Sequence, residues 1–404
     1  MKITVLIDLD DTLLCTEETF FPTYIKSLAQ KIGRVDPDLF AHEMKIITER
    51  MLAKDSPALT LEQTFNAYFY DAINIPRSEI IDILDDYYRN DYGQLQRLTR
   101  QLPESKTLIE TAFSLGHQVA IATNPFFPRI ATMQRLSWAG IPMENYPFSI
   151  VSTYEDFHFA KPNPSYFVEL LAQLGWPSAP AVMIGNHMGQ DILSAESLGF
   201  PTFFIQSTDG KRNITSHTLS SSGQLSEAIP WLKRISGEKF SNDFSTIPAM
   251  LNVMKSTPAA LETLTKDIPF QKWSLQPDDN DYSLNELCCY FRDRDQEVYL
   301  PGIQRVITEA YTNFPNIETE NWSNEMGYIH QNGQLALQDF IDSRIQIINL
   351  LSTLPDSTWQ YQTNSAKYGM ITFKKLIHKI VLHDQELIRQ VKKVVDMLNH
   401  INKS

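Results

Sequence analysis

KITVLIDLDDTL, residues 2–13, decides the architecture of the N-terminal half. Ile3, Thr4, Val5, Leu6 and Ile7 form a β-branched-rich run with no polar alternation, the pattern of a strand buried on both faces of a parallel sheet. The run ends in Asp8, Leu9, Asp10, Asp11 and Thr12. In an open parallel sheet, ligands bind beyond the carboxyl ends of the strands. The acidic cluster therefore stands where chemistry is expected.

Four more strands are expected downstream: QVAIAT (118–123), FSIVST (148–153), APAVMIG (179–185) and PTFFIQ (201–206). Helical patterns alternate with them near 104–115, 128–139, 164–175 and 190–199. Strands separated by single helices imply right-handed crossovers and a doubly wound, Rossmann-like parallel sheet. Residues 17–98 interrupt this order. They read as helical almost throughout, with apolar residues at three- and four-residue spacing and prolines at 37, 57 and 76.

The segment 209–229 is polar and includes Ser220–Ser222; a helix through Trp231 and Ile235 follows it. Residues 236–246 read as a linker. From 247 the pattern is helix and loop only, with four long amphipathic segments, the signature of an all-α four-helix bundle. The expected organisation is an α/β core over 1–16 and 99–235, a helical insertion over 17–98, and a bundle over 247–404. At 404 residues the chain exceeds the roughly 250–300 that one core sustains.

Net charge is −13, from 35 Lys and Arg against 48 Asp and Glu, and both halves are acidic. Nucleic acid is excluded as an expected partner, since its recognition needs a basic surface. No run of about 18 apolar residues suggests a membrane span. The short apolar run at the N-terminus lacks the cleavage pattern of a signal peptide. Cys15, Cys288 and Cys289 are odd in number and two are adjacent, which suits a reducing cytosol rather than a disulfide framework.

Collected at the strand ends are Asp8 and Asp10, Thr123 and Asn124, Lys161 in AKPNPSYF, and Asn186 and Asp191 in IGNHMGQD. Carboxylates, a hydroxyl and a lysine on one edge suit phosphoryl transfer through a carboxylate. An anionic nucleophile needs cations beside a polyanionic phosphoryl group. Mg²⁺, which favours hard oxygen ligands, is the expected cofactor.

LIDLDDTL, VAIATN, AKPNPSYF and VMIGNHMGQD resemble, in order, the four motifs of the haloacid dehalogenase superfamily. The resemblance covers residues 1–235, and the insertion stands where that family carries its cap. It implies Asp8 as nucleophile and Asp10 as general acid/base lending its carbonyl to Mg²⁺. Thr123 and the Asn124 backbone would bind phosphate. Lys161 would fix the charge of Asp8 and the phosphoryl group, and Asn186 and Asp191 would hold the metal. The second aspartate favours a phosphatase acting on a small phosphorylated metabolite.

One position departs from the family pattern: Asn186 replaces the usual aspartate and removes a negative charge. That keeps a second reading open, a weakened domain serving as a regulatory or scaffold protein. Asp11 reads as a cap. His158 and His187 read as ordinary loop histidines, and Phe126 and Phe127 as packing or pocket-closing residues.

The C-terminal half resembles DinB/YfiT-like bundles. Members of that family bind a divalent metal through one His on the second helix and two His four apart on the last. Here Tyr290 and Leu387 stand in two of those places and only His383 remains, while His378 is off register. No conventional metal site is expected, and the bundle is the expected surface for a protein partner. A thiol-linked transferase, implied by some relatives, is disfavoured by the missing ligands.

Overall fold

The computed structural model describes residues 1–206, 217–278, 282–309, 312–315, 319 and 321–401. The chain divides into two compact units. One comprises Met1–Asp55, Leu59–Phe167 and Pro177–Asp243; the other comprises Ser56–Ala58, Val168–Trp176 and Phe244–Ser404.

Up to residue 235, in chain order and with most of α7 belonging to the second unit, the elements run β1 (Thr4–Ile7), β2 (Leu14–Thr16), α1 (Phe20–Ile32), α2 (Pro37–Ala53), α3 (Leu61–Ala72), α4 (Arg77–Asp86) and β3 (Thr99–Gln101). There follow α5 (Pro103–Ser114), β4 (Gln118–Ile121), α6 (Arg129–Trp138), β5 (Ile150–Val151), α7 (Ser165–Gln173), β6 (Ala181–Gly185), α8 (Ser194–Glu196), β7 (Thr202–Ile205), β8 (Ser221–Gly223) and α9 (Leu225–Ile235). The main sheet has the order β5-β4-β1-β6-β7-β8, all parallel.

Strand β1 is central, with Val5 level with Val119 on one side and Val182 on the other. Val5, Leu6 and Ile7 are wholly buried, which is why the run shows no alternation. The chain leaves β1 for β4 and β5, then returns to β6 on the opposite side. The ends of β1, β4 and β6 thus meet at the switch point where ligands bind in such sheets.

Two features of this unit differ from the sequence reading. Ser221–Gly223, read as part of a polar connection, is an edge strand beside β7. It is short and half-buried, so it carries no apolar pattern. Residues 209–216 of that connection lie outside the described residues. The insertion is also entered and left through an antiparallel pair, β2 and β3. Between them, α2 begins at Asp36, whose carboxylate accepts from the Asp38 and Leu39 backbone N–H groups. Helix α3 begins with a Thr60–Gln63 capping box.

In the second unit, α10 (Ile247–Thr265), α11 (Leu284–Asp293), α14 (Gly333–Ser352) and α15 (Phe373–Ile401) form a four-helix bundle, with shorter α12 (Leu300–Thr308) and α13 (Trp322–Glu325) between α11 and α14. The second long segment is broken: a π-helical stretch, Arg294–Tyr299, separates α11 from α12, and Pro301 sits in the first turn of α12. The helix-and-loop expectation is corrected by a small sheet of β9 (Thr312–Asn313), β10 (Gln362–Ser365) and β11 (Gly369–Thr372). Its strands are too short and polar to show a period of two.

Candidate active site

Asp8 lies directly past β1 and is 6% exposed. Its Oδ1 accepts from Lys161 Nζ at 2.8 Å, and its Oδ2 from the Thr12 hydroxyl at 3.1 Å. Lys161 also donates to Asp191 Oδ1 at 2.6 Å, so one buried ammonium bridges two carboxylates. The other Asp191 oxygen accepts from the His187 backbone N–H at 2.9 Å. Asp191 reaches this position because residue 185 has no side chain: a Cβ there would lie 2.4 Å from Asp191 Oδ2.

Burial pushes the Asp8 carboxyl up to about 7; Lys161 opposes the rise and Asp191 adds to it. For Lys161, burial works against the ammonium, but Asp191 and Asp8 outweigh it and hold the group above its ordinary value.

Asn124, read as a phosphate contact, does something further. Its side chain grips the Lys161 backbone, Nδ2 donating to the carbonyl at 3.1 Å and Oδ1 accepting from the N–H at 3.0 Å. Nδ2 also reaches Gln190 Oε1 at 3.3 Å. The end of β4 thereby sets the position of the lysine. The Thr123 carbonyl accepts from Tyr166 at 3.0 Å, and the Thr123 hydroxyl lies 3.5 Å from Asp10 Oδ2.

Asp10 is held by a residue that strand-end reasoning missed. Arg135, fully buried on α6, forms an ion pair with Asp10 Oδ2. Its guanidinium lies 4.3 Å from the Phe127 ring centre, and a second nitrogen donates to Thr132. Asp10 Oδ1, Arg135 Nε and the Tyr92 hydroxyl are buried beside this pair without partners among the described residues. The signal for Arg135 in the sequence is weak: it is one of two arginines on an otherwise ordinary helix.

Thr12 connects Asp8 to Asn186. Its hydroxyl lies 3.1 Å from Asp8 Oδ2 and 3.2 Å from Asn186 Oδ1, one proton facing two acceptor oxygens. The remaining candidates take structural parts. Asp11 has φ 56° and its carboxylate accepts from the Thr16 N–H and hydroxyl, closing the turn. His187 accepts from the Gln190 N–H as a cap. His158 is buried, its carbonyl taking a bond from Lys54. Phe127 packs on Arg135, Tyr24 and Tyr92. An open cleft of about 440 Å³ adjoins the motif loops, lined by Glu49, Leu52, Ala53, Pro162, His187, Gly189 and Gln190.

Residues 4–199 match the family model of the haloacid dehalogenase-like hydrolases. The N-terminal half of the chain thus carries a haloacid dehalogenase-like hydrolase domain. Haloacid dehalogenase-like hydrolase domain-containing protein 3 of Danio rerio is 35% identical over 65 residues, 16% of this chain and 27% of that protein. Glyceraldehyde 3-phosphate phosphatase of Methanothermobacter thermautotrophicus is 28% identical over 118 residues, 29% of this chain and 50% of that protein. The chain spans half or less of the length of these curated relatives. The four-helix-bundle structure of YfiT from Bacillus subtilis is similar to 39% of this chain over 90% of its own, at 14% identity and a TM-score of 0.35.

Proposed function

We propose that the N-terminal domain is a Mg²⁺-dependent phosphatase that hydrolyses a small phosphate monoester through an aspartyl-phosphate on Asp8. The buried Asp8–Lys161–Asp191 arrangement carries this reading. It holds a carboxylate oxygen at the switch point of the sheet, with a fixed cation beside the place where phosphoryl charge arrives. The similarity to a glyceraldehyde 3-phosphate phosphatase supports a small phosphorylated metabolite as substrate. Three free cysteines, two of them buried, support a reducing cytosol. No helix among the described residues is long and apolar enough to cross a membrane.

The donor set fits Mg²⁺. Among the described residues, no three His, Cys, Asp or Glu side chains gather as a metal cluster. The oxygens that converge are of mixed kind: Asp8 Oδ2, Asn186 Oδ1 and, by the resemblance, the Asp10 carbonyl, with Asp191 behind them. All are hard donors, and the two acceptors sharing one Thr12 proton have unused capacity for a cation. When bound, Mg²⁺ supplies positive charge that lowers repulsion between Asp8 and the phosphoryl group.

In the first step an Asp8 oxygen attacks phosphorus and the bond to the ester oxygen breaks. Asp10 gives its proton to the leaving alkoxide. In the second step Asp10 takes a proton from water as the water oxygen attacks phosphorus, releasing phosphate and restoring Asp8. Lys161 and Thr123 hold phosphoryl oxygens through both steps, and the insertion limits water at the site.

Phosphate release from an aryl phosphate and a panel of small metabolite phosphates, with Mg²⁺ and with EDTA, tests the proposal. Metal-dependent turnover is expected. In Asn186→Asp the half-saturating Mg²⁺ concentration should fall on the order of tenfold. Turnover in Asn186→Asp but not in the parent would favour the regulatory reading.

Arg135 fixes the carboxylate of the acid/base and does not itself touch the reacting atoms. Arg135→Met is expected to lower kcat on the order of 10²-fold with little change in KM, since a displaced catalytic group costs about that much. Arg135→Lys should recover part of the loss by restoring a cation. Unchanged kcat in Arg135→Met would show that Asp10 is positioned without it.

A further inference from the structure

The second unit contains a cavity of about 200 Å³, lined by Tyr282, Glu286, Leu287, Tyr290, Thr319, Ser323, His383, Leu387 and Gln390. It lies around Tyr290 and Leu387, the two positions where a metal-binding relative would carry histidines. No three metal-ligating side chains gather there among the described residues. The polarity of its wall follows from one residue behind it.

Arg294 can only donate hydrogen bonds. It donates to the Thr319 hydroxyl at 2.8 Å, to the Tyr290 hydroxyl at 3.2 Å, and to the Tyr299 hydroxyl. All three oxygens therefore act as acceptors toward Arg294 and keep their own protons for other partners. Tyr290 and Thr319 lie 3.1 Å from each other, a contact that uses one of their two protons. The second proton is left to point into the cavity.

Tyr299 lies 3.4 Å from His383 Nδ1. With Arg294 donating to the Tyr299 oxygen, the Tyr299 proton is available to that nitrogen, the arrangement in which the imidazole hydrogen stands on Nε2 and His383 is a second donor to the cavity. Burial pulls His383 down to about 4, and Arg294 adds to the effect, with Lys367 and Arg344 in the same direction and Asp384 opposing. The lowered pKa leaves the ring neutral at neutral pH, and the chain from Arg294 favours the Nε2–H tautomer.

Glu286 does not compete for these donors. Its Oε2 takes bonds from the Ser283 N–H and hydroxyl and from Gln276, and its Oε1 takes one from Ser323, so the carboxylate is tied to groups other than Tyr290, Thr319 and His383. Leu287 and Leu387 supply apolar wall, and Gln390 Oε1 is a buried acceptor without a partner among the described residues.

We propose that this cavity is a binding site for a small organic acid. Its carboxylate would be held by the Tyr290–Thr319 hydroxyl pair and His383 Nε2, and its carbon skeleton would lie on Leu287 and Leu387. Two converging donors backed by a guanidinium match a carboxylate, and the apolar wall matches the rest of such a molecule. The volume is that of about seven waters, which admits a single aromatic or short-chain acid.

The test is calorimetric titration of the full chain with benzoate, 4-hydroxybenzoate and hexanoate. Benzyl alcohol, benzylamine and Zn²⁺ serve as alternatives of other charge. At least one acid is expected to bind at millimolar concentration or better, and more tightly than the alcohol or the amine. Tyr290→Phe keeps the ring and removes the hydroxyl, and should weaken the acid about tenfold. Leu387→Trp fills the cavity and should abolish binding. A melting curve on each variant confirms that the bundle is folded. The proposal is overturned if no acid binds, if Zn²⁺ or benzylamine binds in preference, or if the acid binds folded Tyr290→Phe or Leu387→Trp as it binds the parent.

Discussion

Asp8→Asn is expected to remove metal-dependent phosphate release almost completely, by on the order of 10⁴-fold or more. The amide keeps the size and shape of the carboxylate but is a poor nucleophile for phosphorus, and no neighbour can replace it. Asp191 has both oxygens committed, to Lys161 and to the His187 N–H. Asp10 has one oxygen committed to Arg135, and in the proposed mechanism it handles the proton rather than attacking phosphorus. The loss should therefore appear in kcat for every substrate that the parent accepts. A residual rate within tenfold of the parent would mean that Asp8 is not the nucleophile. A stability measurement separates this result from misfolding. The Asp8 carboxyl stands at about 7 in the folded chain against an ordinary 3.8, raised by burial. A raised pKa means that stability is fully present below the unfolded value and is lost as pH rises through the folded one. Asn carries no such dependence. Metal-free Asp8→Asn should therefore gain on the parent in melting temperature between pH 5 and pH 8, while losing its activity.

The convergence of the candidate site residues was legible in the sequence because most of them follow a strand. Asp8 and Thr123 lie where the hydrophobic runs of β1 and β4 stop, Asp191 lies in the helical turn that follows β6, and the sheet brings those strand ends together. Lys161 lies farther from its strand and was placed by its motif, and the Asn124 grip on its backbone explains how a loop lysine is held so closely. Arg135 was not legible. It lies within α6, and only the packing of that helix turns one of its charges inward. The short strands were missed for a different reason. Ser221–Gly223 and the β9–β11 sheet are polar, and their partners are set by tertiary contacts rather than by pattern. In the bundle, helix periodicity identified the four long segments but not what lies between them. Asp295, Arg344 and Asp384 stand 49 and 40 residues apart along the chain. Each resembles a surface charge until the helices are assembled.

That buried group leads to the largest expected effect on stability. Arg344 is fully buried on α14 and forms ion pairs with Asp295 and Asp384. The Arg344 Nε and one terminal nitrogen reach the two Asp295 oxygens at 2.8 and 2.9 Å, a bidentate pairing. The Thr257 hydroxyl on α10 lies 3.5 Å from Asp384, so the group touches all but one of the four long bundle segments directly, and the π-helical stretch after α11 supplies Asp295. Arg344→Met keeps the length and apolar volume of the side chain but leaves two buried carboxylates without their cation. Breaking a buried pair in this way costs about 3–5 kcal/mol at neutral pH. Calorimetry on the full chain should show the bundle transition moving sharply down while the N-terminal transition stays in place. The sign with pH is fixed by Asp295. Burial already pushes its carboxyl up to about 6 against the pull of Arg344, and losing Arg344 raises it further. Stability linked to a raised carboxyl pKa is retained at low pH and lost as pH increases. Arg344→Met should therefore lie nearer the parent at pH 5 than at pH 8, whereas a loss caused only by poor packing would be the same at both. Equal destabilisation at the two pH values would show that the methionine disturbs packing and that the charge group contributes little.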